Sequence, residues 1–382
     1  MKRSTESILT THTGSLPRPD TLVQLMVARE QGKPVDAGVL ADSVHTAVAE
    51  VVKQQASVGI DIVSDGEMSK IGFANYVKDR LTGFDGESNP VVAQDVLDHP
   101  DVRVRMFRRN EGKESRYFTP ACNGPITLRD QDAVHQDIAN LKAALQESQV
   151  SEAFMPAASP GTIAQVMQNN YYPTQEAYLY ALADAMRYEY QAIVEAGFLL
   201  QLDCPDLAMQ RHTRFASASL AEFRRQVQQN IEVLNHALTG ISPEQVRIHV
   251  CWGNYGGPHH RDVPLKDIID LLLTIQGNGL SIEAANPRHE HEWKVFEEVR
   301  LPDGKVLIPG LIDTCSTYIE HPEVVAQRLA NFARTVGREN VIAGTDCGFG
   351  TFVGAGSVAP SVAWAKLRSL TEGARLASPE LW

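Results

Sequence analysis

Eight short apolar runs punctuate this chain, at residues 8–13, 60–64, 153–158, 198–203, 246–252, 280–284, 306–312 and 341–345, and most precede a stretch with helical spacing. The helical stretches lie near 41–58, 174–197, 219–238, 265–276 and 322–336. Within 174–197, Leu179, Leu182, Met186, Tyr190 and Ile193 recur three or four residues apart, which makes one helix face. Strands that alternate with helices build a parallel sheet covered by those helices. Eight such units in 382 residues fit a closed (β/α)8 TIM barrel, read as one domain spanning 1–382. A doubly wound open sheet is the alternative, and it lacks the glycine-rich phosphate loop that would follow an early strand. Residues 82–127 break the rhythm with turn residues and the charges Arg103, Arg105, Arg108, Arg109, Glu111, Lys113 and Glu114. They read as an arm inserted over the barrel mouth.

Charge narrows the function. With a net charge of −12, the chain has no electrostatic footprint for nucleic acid or an anionic membrane. No run reaches the roughly 18 apolar residues of a membrane span, and residues 1–7 lack the apolar core of a secretion signal. Five cysteines, an odd number scattered from Cys122 to Cys347, do not suggest a disulfide framework. The expectation is a soluble, cytoplasmic protein whose partners are small molecules, with a homo-oligomer compatible.

The chemistry concentrates at strand ends. His249 and Cys251, two apart on the fifth strand, face the same side. Glu283 ends the sixth strand and Cys347 follows the eighth. Barrel enzymes place functional groups at these C-terminal ends, so one N, one O and two S donors can converge on a tetrahedral Zn2+. Taken singly, each residue has a plainer role: a buried thiol, a hydrogen-bonded core histidine or a helix-capping glutamate. Zinc held by two thiolates would take a substrate thiol as thiolate, which points to alkyl transfer to sulfur. Hydrolysis by zinc-bound water stays open on the ligand list alone.

These motifs resemble the catalytic C-terminal barrel of the cobalamin-independent methionine synthase family, in the wider group that includes epoxyalkane:coenzyme M transferase. The resemblance runs from Thr13-Gly14-Ser15-Leu16-Pro17 to Asp346-Cys347-Gly348. It implies zinc on His249, Cys251, Glu283 and Cys347. It also implies an amino-acid pocket in which Ser15 takes the homocysteine carboxylate region and Glu67 and Asp203 receive the amine. The function implied is zinc-dependent methyl transfer to homocysteine or a similar thiol. The chain departs from the family where Asp-Ile-His-Ser becomes Asp313-Thr314-Cys315-Ser316, and where 157–163 carries no tryptophan for a folate ring. It also lacks the family's N-terminal barrel half, and together these departures argue against a folate polyglutamate donor.

Loop residues supply further candidates. His259, His260 and Arg261 can bind an anionic group or act as general acid, and Cys315 either sits at the mouth or packs behind the seventh strand. Epoxide opening by a zinc thiolate is the alternative chemistry, and Arg261 with a neighbouring histidine would serve it. A non-catalytic zinc-stabilised binding protein is the alternative of another class.

Overall fold

The computed structural model describes residues 1–89, 91–109 and 119–382, without the side chains of 105–109. Six strands form one parallel sheet in chain order: Ile62–Ser64, Glu152–Ala158, Leu199–Asp203, Val246–Val250, Gly279–Ile282 and Val306–Pro309. The first and eighth expected runs join through single bridges rather than ladders. Thr10 pairs in parallel with Ala343, Leu307 with Val341, and Gly310 with Gly344. The Ile62 amide donates to the Thr10 carbonyl at 3.0 Å, and the Ala343 amide to the Leu9 carbonyl at 2.9 Å. Eight staves therefore close a (β/α)8 barrel, and the open doubly wound sheet is excluded.

Two apolar clusters hold it. Ile62, Phe154, Leu199, Val306, Ile308 and Ile342 fill the barrel interior, and a much larger cluster lies between staves and helices. Helix Gln175–Glu195 buries Leu179, Leu182, Met186, Tyr190 and Ile193, the face read from the sequence, and Thr174 caps it by accepting from the Ala177 amide. Helix Leu220–Ala237 opens with a reciprocal Ser219–Glu222 capping box. The expected helix at 265–276 is instead a 3₁₀ turn, Leu265–Asp267, and a four-residue helix, Ile269–Leu272. Leu265, Ile268, Ile269, Leu272 and Ile275 are buried and Leu271 and Leu273 half-buried, but the chain leaves the helix after Leu272 in a turn over 273–276.

Just above the interior cluster, polar side chains cross the barrel. The Arg247 guanidinium lies 4.0 Å from the Phe154 ring centre and donates to Thr11 Oγ1 and the His12 carbonyl at 2.9 and 2.8 Å. Gln201 Nε2 donates to the Thr13 carbonyl and to Asp203 Oδ1. The fourth and fifth staves thus tie down the first, which has almost no ladder of its own.

The insertion is an arm, as expected. Phe84–Asp85 pairs antiparallel with Ala121–Cys122, Leu81 bridges Leu128, and short helices Gln94–Leu97 and Pro100–Arg109 follow the outgoing strand. Glu111, Lys113 and Glu114, with the side chains of Arg105, Arg108 and Arg109, lie outside the described residues.

Phe154 is fully buried in the interior cluster and stacked by Arg247. Phe154→Ala is expected to cost about 3–5 kcal/mol, read as a lower midpoint in urea unfolding. A loss below about 1 kcal/mol would show that the interior cluster is not a main support.

Candidate active site and metal centre

The parallel register decides which side chains meet. Asp203 is the register partner of His249, so both stand at one rim of the barrel. Arg247, His249 and Cys251 alternate along the fifth stave and face inward together. Cys347 reaches the same point from the eighth stave. One donor atom from each of His249, Cys251 and Cys347 lies within 4.8 Å of the others, all buried. Cys347 Sγ is 3.5 Å from His249 Nε2, and tetrahedral zinc at ordinary bond lengths holds N and S about 3.5–3.6 Å apart. His249 Nδ1 is buried without a partner. Burial, reinforced by the Arg247 charge, lowers the imidazole to about 3, so it is neutral with a lone pair to give. The Cys251 hydrogen bond and burial push the Cys347 thiol well up. Two soft sulfurs and a neutral imidazole at this spacing can hold a metal, and the donor types suit zinc.

Glu283 ends the sixth stave at the same rim, but its oxygens are engaged elsewhere. Oε1 accepts from the Trp252 amide at 2.7 Å and Oε2 from Asn286 Nδ2 at 3.1 Å. The structure therefore groups three of the four expected ligands and sets Glu283 beside them, lining a side pocket of about 220 Å³ with Cys315 and Cys347. Asp346 was not read from the sequence, yet it joins these segments. Its carboxylate accepts the amides of Ala284, Ala285 and Asn286 at 2.8, 2.9 and 2.7 Å.

A cavity of about 690 Å³ opens on the metal group, and Ser15, Glu67 and Asp203 line it together with His249, Cys251 and Cys347. Glu67 sits in the left-handed region at φ 57°, after Gly66 at 64°, where Asp65 Oδ1 accepts its amide. This turn aims the carboxyl inward, and Oε2 has no partner. Burial raises Glu67 to about 7 against the charges of Lys70 and Arg18. Burial and the nearby Glu67 raise Asp203 well above the carboxylate range. Two buried carboxyls that disfavour each other's charge make a receptor for an ammonium. Ser15 stands against the Cys347 loop, where a Cβ on Gly348 would overlap its Oγ, so glycine permits the close approach.

The loop after the fifth stave faces the arm. His259 donates from Nδ1 to Asp262 at 2.9 Å and from Nε2 to the Tyr255 carbonyl at 3.0 Å. Against the penalty of its own burial, those two acceptors raise it to about 9. Asp262 also meets His212 and His289. His260 and Arg261 both reach Asp98 of the arm, at 3.0 and 2.6 Å. Asp95, also of the arm, accepts from the Tyr255 hydroxyl at 2.8 Å and the His259 amide at 2.9 Å. These three candidates thus anchor the arm over the mouth, and none of them lines the large cavity. Cys315 lies at the mouth, its thiol donating to Asn254 Oδ1 at 3.1 Å.

The two aspartates should differ in weight. Asp95→Ala strands the buried His259 amide, at about 1–3 kcal/mol, takes the Tyr255 hydroxyl's shorter hydrogen bond, and is expected to speed amide exchange across 94–104 at least about tenfold. Asp98→Ala, facing the half-exposed Arg261, is expected to change it little. The reverse order would place the latch on the surface pair.

The geometry agrees with three comparisons. Residues 157–362 match the family model described as "Cobalamin-independent synthase, Catalytic domain". A methionine synthase of Saccharolobus solfataricus is 24% identical over 376 residues, 97% of this chain and 95% of that protein. One of Sulfolobus acidocaldarius is 25% identical over 340 residues, 89% and 85% of the two chains. The solved B12-independent methionine synthase of Shewanella sp. W3-18-1, in complex with selenomethionine, shares the fold at TM-score 0.74 and 22% identity, covering 98% and 99% of the chains. A putative vitamin-B12-independent methionine synthase of Listeria monocytogenes gives TM-score 0.63 at 18% identity, covering 98% and 99%. With more than half its length matched by that model, the chain belongs to the cobalamin-independent synthase catalytic-domain family.

Proposed function

We propose that this chain, acting as one catalytic unit, is a zinc-dependent S-methyltransferase that methylates homocysteine or a closely similar amino-acid thiol. The observation that carries the reading is that one cavity holds both a His249–Cys251–Cys347 metal group and a pair of buried carboxyls, Glu67 and Asp203, that disfavour each other's charge. Zinc on those three donors would bind the incoming thiol as a reactive thiolate. The chain's own groups do the rest. Glu67 and Asp203 receive the amine and so fix the direction of the amino acid, and Ser15 borders its carboxylate end. Burial, with the Arg247 charge beneath, keeps His249 neutral, and Asp346 holds the Glu283 and Cys347 segments in register. The latched arm limits water at the reacting end and aligns donor and acceptor.

Glu283, held by Trp252 and Asn286, stands next to the group as the fourth donor and is free to stay out when the thiol enters. Arg261 donates from Nε to Asp98 and does not line the cavity that holds the metal group, which disfavours the anion site on which the epoxide-opening alternative relied. A cavity open to the metal group disfavours a purely structural metal. Two cysteines needed as thiolates fit a reducing, cytoplasmic setting, and no helix among the described residues is long and apolar enough to cross a membrane.

The test is calorimetric titration of the zinc-loaded protein. L-homocysteine is expected to bind one per chain, L-homoserine at least about 100-fold more weakly, and Cys347→Ala to bind neither metal nor thiol tightly. Equal binding of the two amino acids would remove sulfur from the recognition and sink the proposal.

The pH dependence has a definite sign. Glu67 in the ligand-free protein ionises near 7 and must be charged to hold an ammonium. The KM for homocysteine should therefore fall as pH rises from about 6 to 8. Glu67→Gln is expected to raise KM about 10- to 100-fold, the worth of a hydrogen bond to a charged group, and to flatten that trend. A trend unchanged in the variant would assign it to another group.

A further inference from the structure

Arg18 follows the first stave, is buried, and reaches two loops of the rim at once. Nε and Nη2 donate to the Glu67 carbonyl at 3.2 and 2.7 Å, and Nη2 also to the Lys70 carbonyl at 2.9 Å. Nη1 donates to the Gly350 carbonyl at 2.6 Å. One guanidinium fork thus holds both the turn that carries Glu67 and the loop that begins at Cys347. A Cβ on Gly350 would lie 2.5 Å from the Leu16 carbonyl oxygen and 3.2 Å from Nη1, so glycine lets the fork close.

Those two loops carry the two ends of the site. Glu67 belongs to the amine end and Cys347 to the metal end. Glu67 Oε2 is buried without a partner, so the carboxyl takes its place from the left-handed backbone beneath it, at φ 57°. A non-glycine residue keeps such a conformation only when its surroundings enforce it. Here Asp65 accepts its amide, and Arg18 holds its carbonyl twice. Farther along, the two loops pair through backbone alone. The Phe73 amide donates to the Thr351 carbonyl at 3.2 Å and the Val353 amide to the Ile71 carbonyl at 3.1 Å. That outer pairing keeps the loops together without fixing Glu67 itself.

We propose that Arg18 is a positioning residue that sets the span between the amine end and the metal end, and so the chain length of the amino-acid thiol accepted. The proposal rests on reading the cavity as a zinc site for such a thiol.

The test is calorimetric titration of the zinc-loaded full chain with L-homocysteine and L-cysteine, which differ by one methylene. The wild type is expected to prefer homocysteine at least about tenfold, the ordinary worth of a methylene in a fitted site. Arg18→Met and Arg18→Lys should keep zinc but cut the preference below about threefold, since lysine retains the charge and not the fork. A preference unchanged in both variants, kept in full by Arg18→Lys, or lost together with zinc overturns the proposal. A check that needs no variant uses 3-mercaptopropylamine and cysteamine, the same two thiols without their carboxyl group, on the wild type. The longer amine should bind at least about tenfold more tightly, and equal affinities would show that the span is not read and overturn the proposal as well. Absence of any thiol uptake by the wild type would sink the methyltransferase reading itself, whereas selectivity that survives the loss of Arg18 sinks this proposal alone.

Discussion

Closure of the barrel is the constraint on which everything else here depends. Parallel staves in fixed register bring their C-terminal ends to one rim, so residues almost a hundred positions apart, His249 and Cys347, come within bonding reach of one ion. Closure is weakest where the first and eighth staves meet through single bridges. Arg247 and Gln201 reinforce that seam from inside. The same two residues stand one layer below His249 and Asp203, so the groups that close the barrel also support the site. A buried guanidinium is costly to place in a barrel interior. Here its hydrogen bonds to the first stave and its stack on Phe154 offset that cost.

The rim has a division of labour that follows from charge. Towards the second and fourth staves it carries the paired carboxyls of Glu67 and Asp203, which suit an amino group. Towards the fifth and eighth it is soft and buried, which suits a thiophilic metal. Over both lies the arm, held to the metal-bearing loop by Asp95 and Asp98. The cluster of Asp262 with His212, His259 and His289 stiffens that loop from below. Two of its imidazoles carry charge, His259 near 9 and His289 near 10.

Much of the rim was legible because its signals are local. The period of two in His249-Val250-Cys251 predicts a shared face, and the Cys347 segment follows a clear strand. The eight-stave barrel and the arm at 82–127 follow from the same alternation and its interruption. What stayed hidden depends on contacts between distant segments. Nothing in Gly256-Gly257-Pro258-His259-His260-Arg261 shows that Asp98, more than 160 residues earlier, takes both His260 and Arg261. Nor can spacing show that the Trp252 amide and Asn286 occupy the Glu283 carboxylate. Asp346 looked like a neighbour of Cys347, although its three backbone hydrogen bonds make it the clasp of two strand ends. The stretch at 265–276 has a helical apolar pattern, but it buries that face as a 3₁₀ turn and a single helical turn rather than one helix.

The central claim is that a metal on His249, Cys251 and Cys347 meets the sulfur of an amino-acid thiol in this cavity. Zinc-edge X-ray absorption on the purified protein, before and after L-homocysteine, tests it most directly. The account predicts about one zinc per chain with two sulfur ligands, rising to three when homocysteine is added. Zinc whose sulfur count does not change, or a protein that neither contains nor binds zinc, would contradict it.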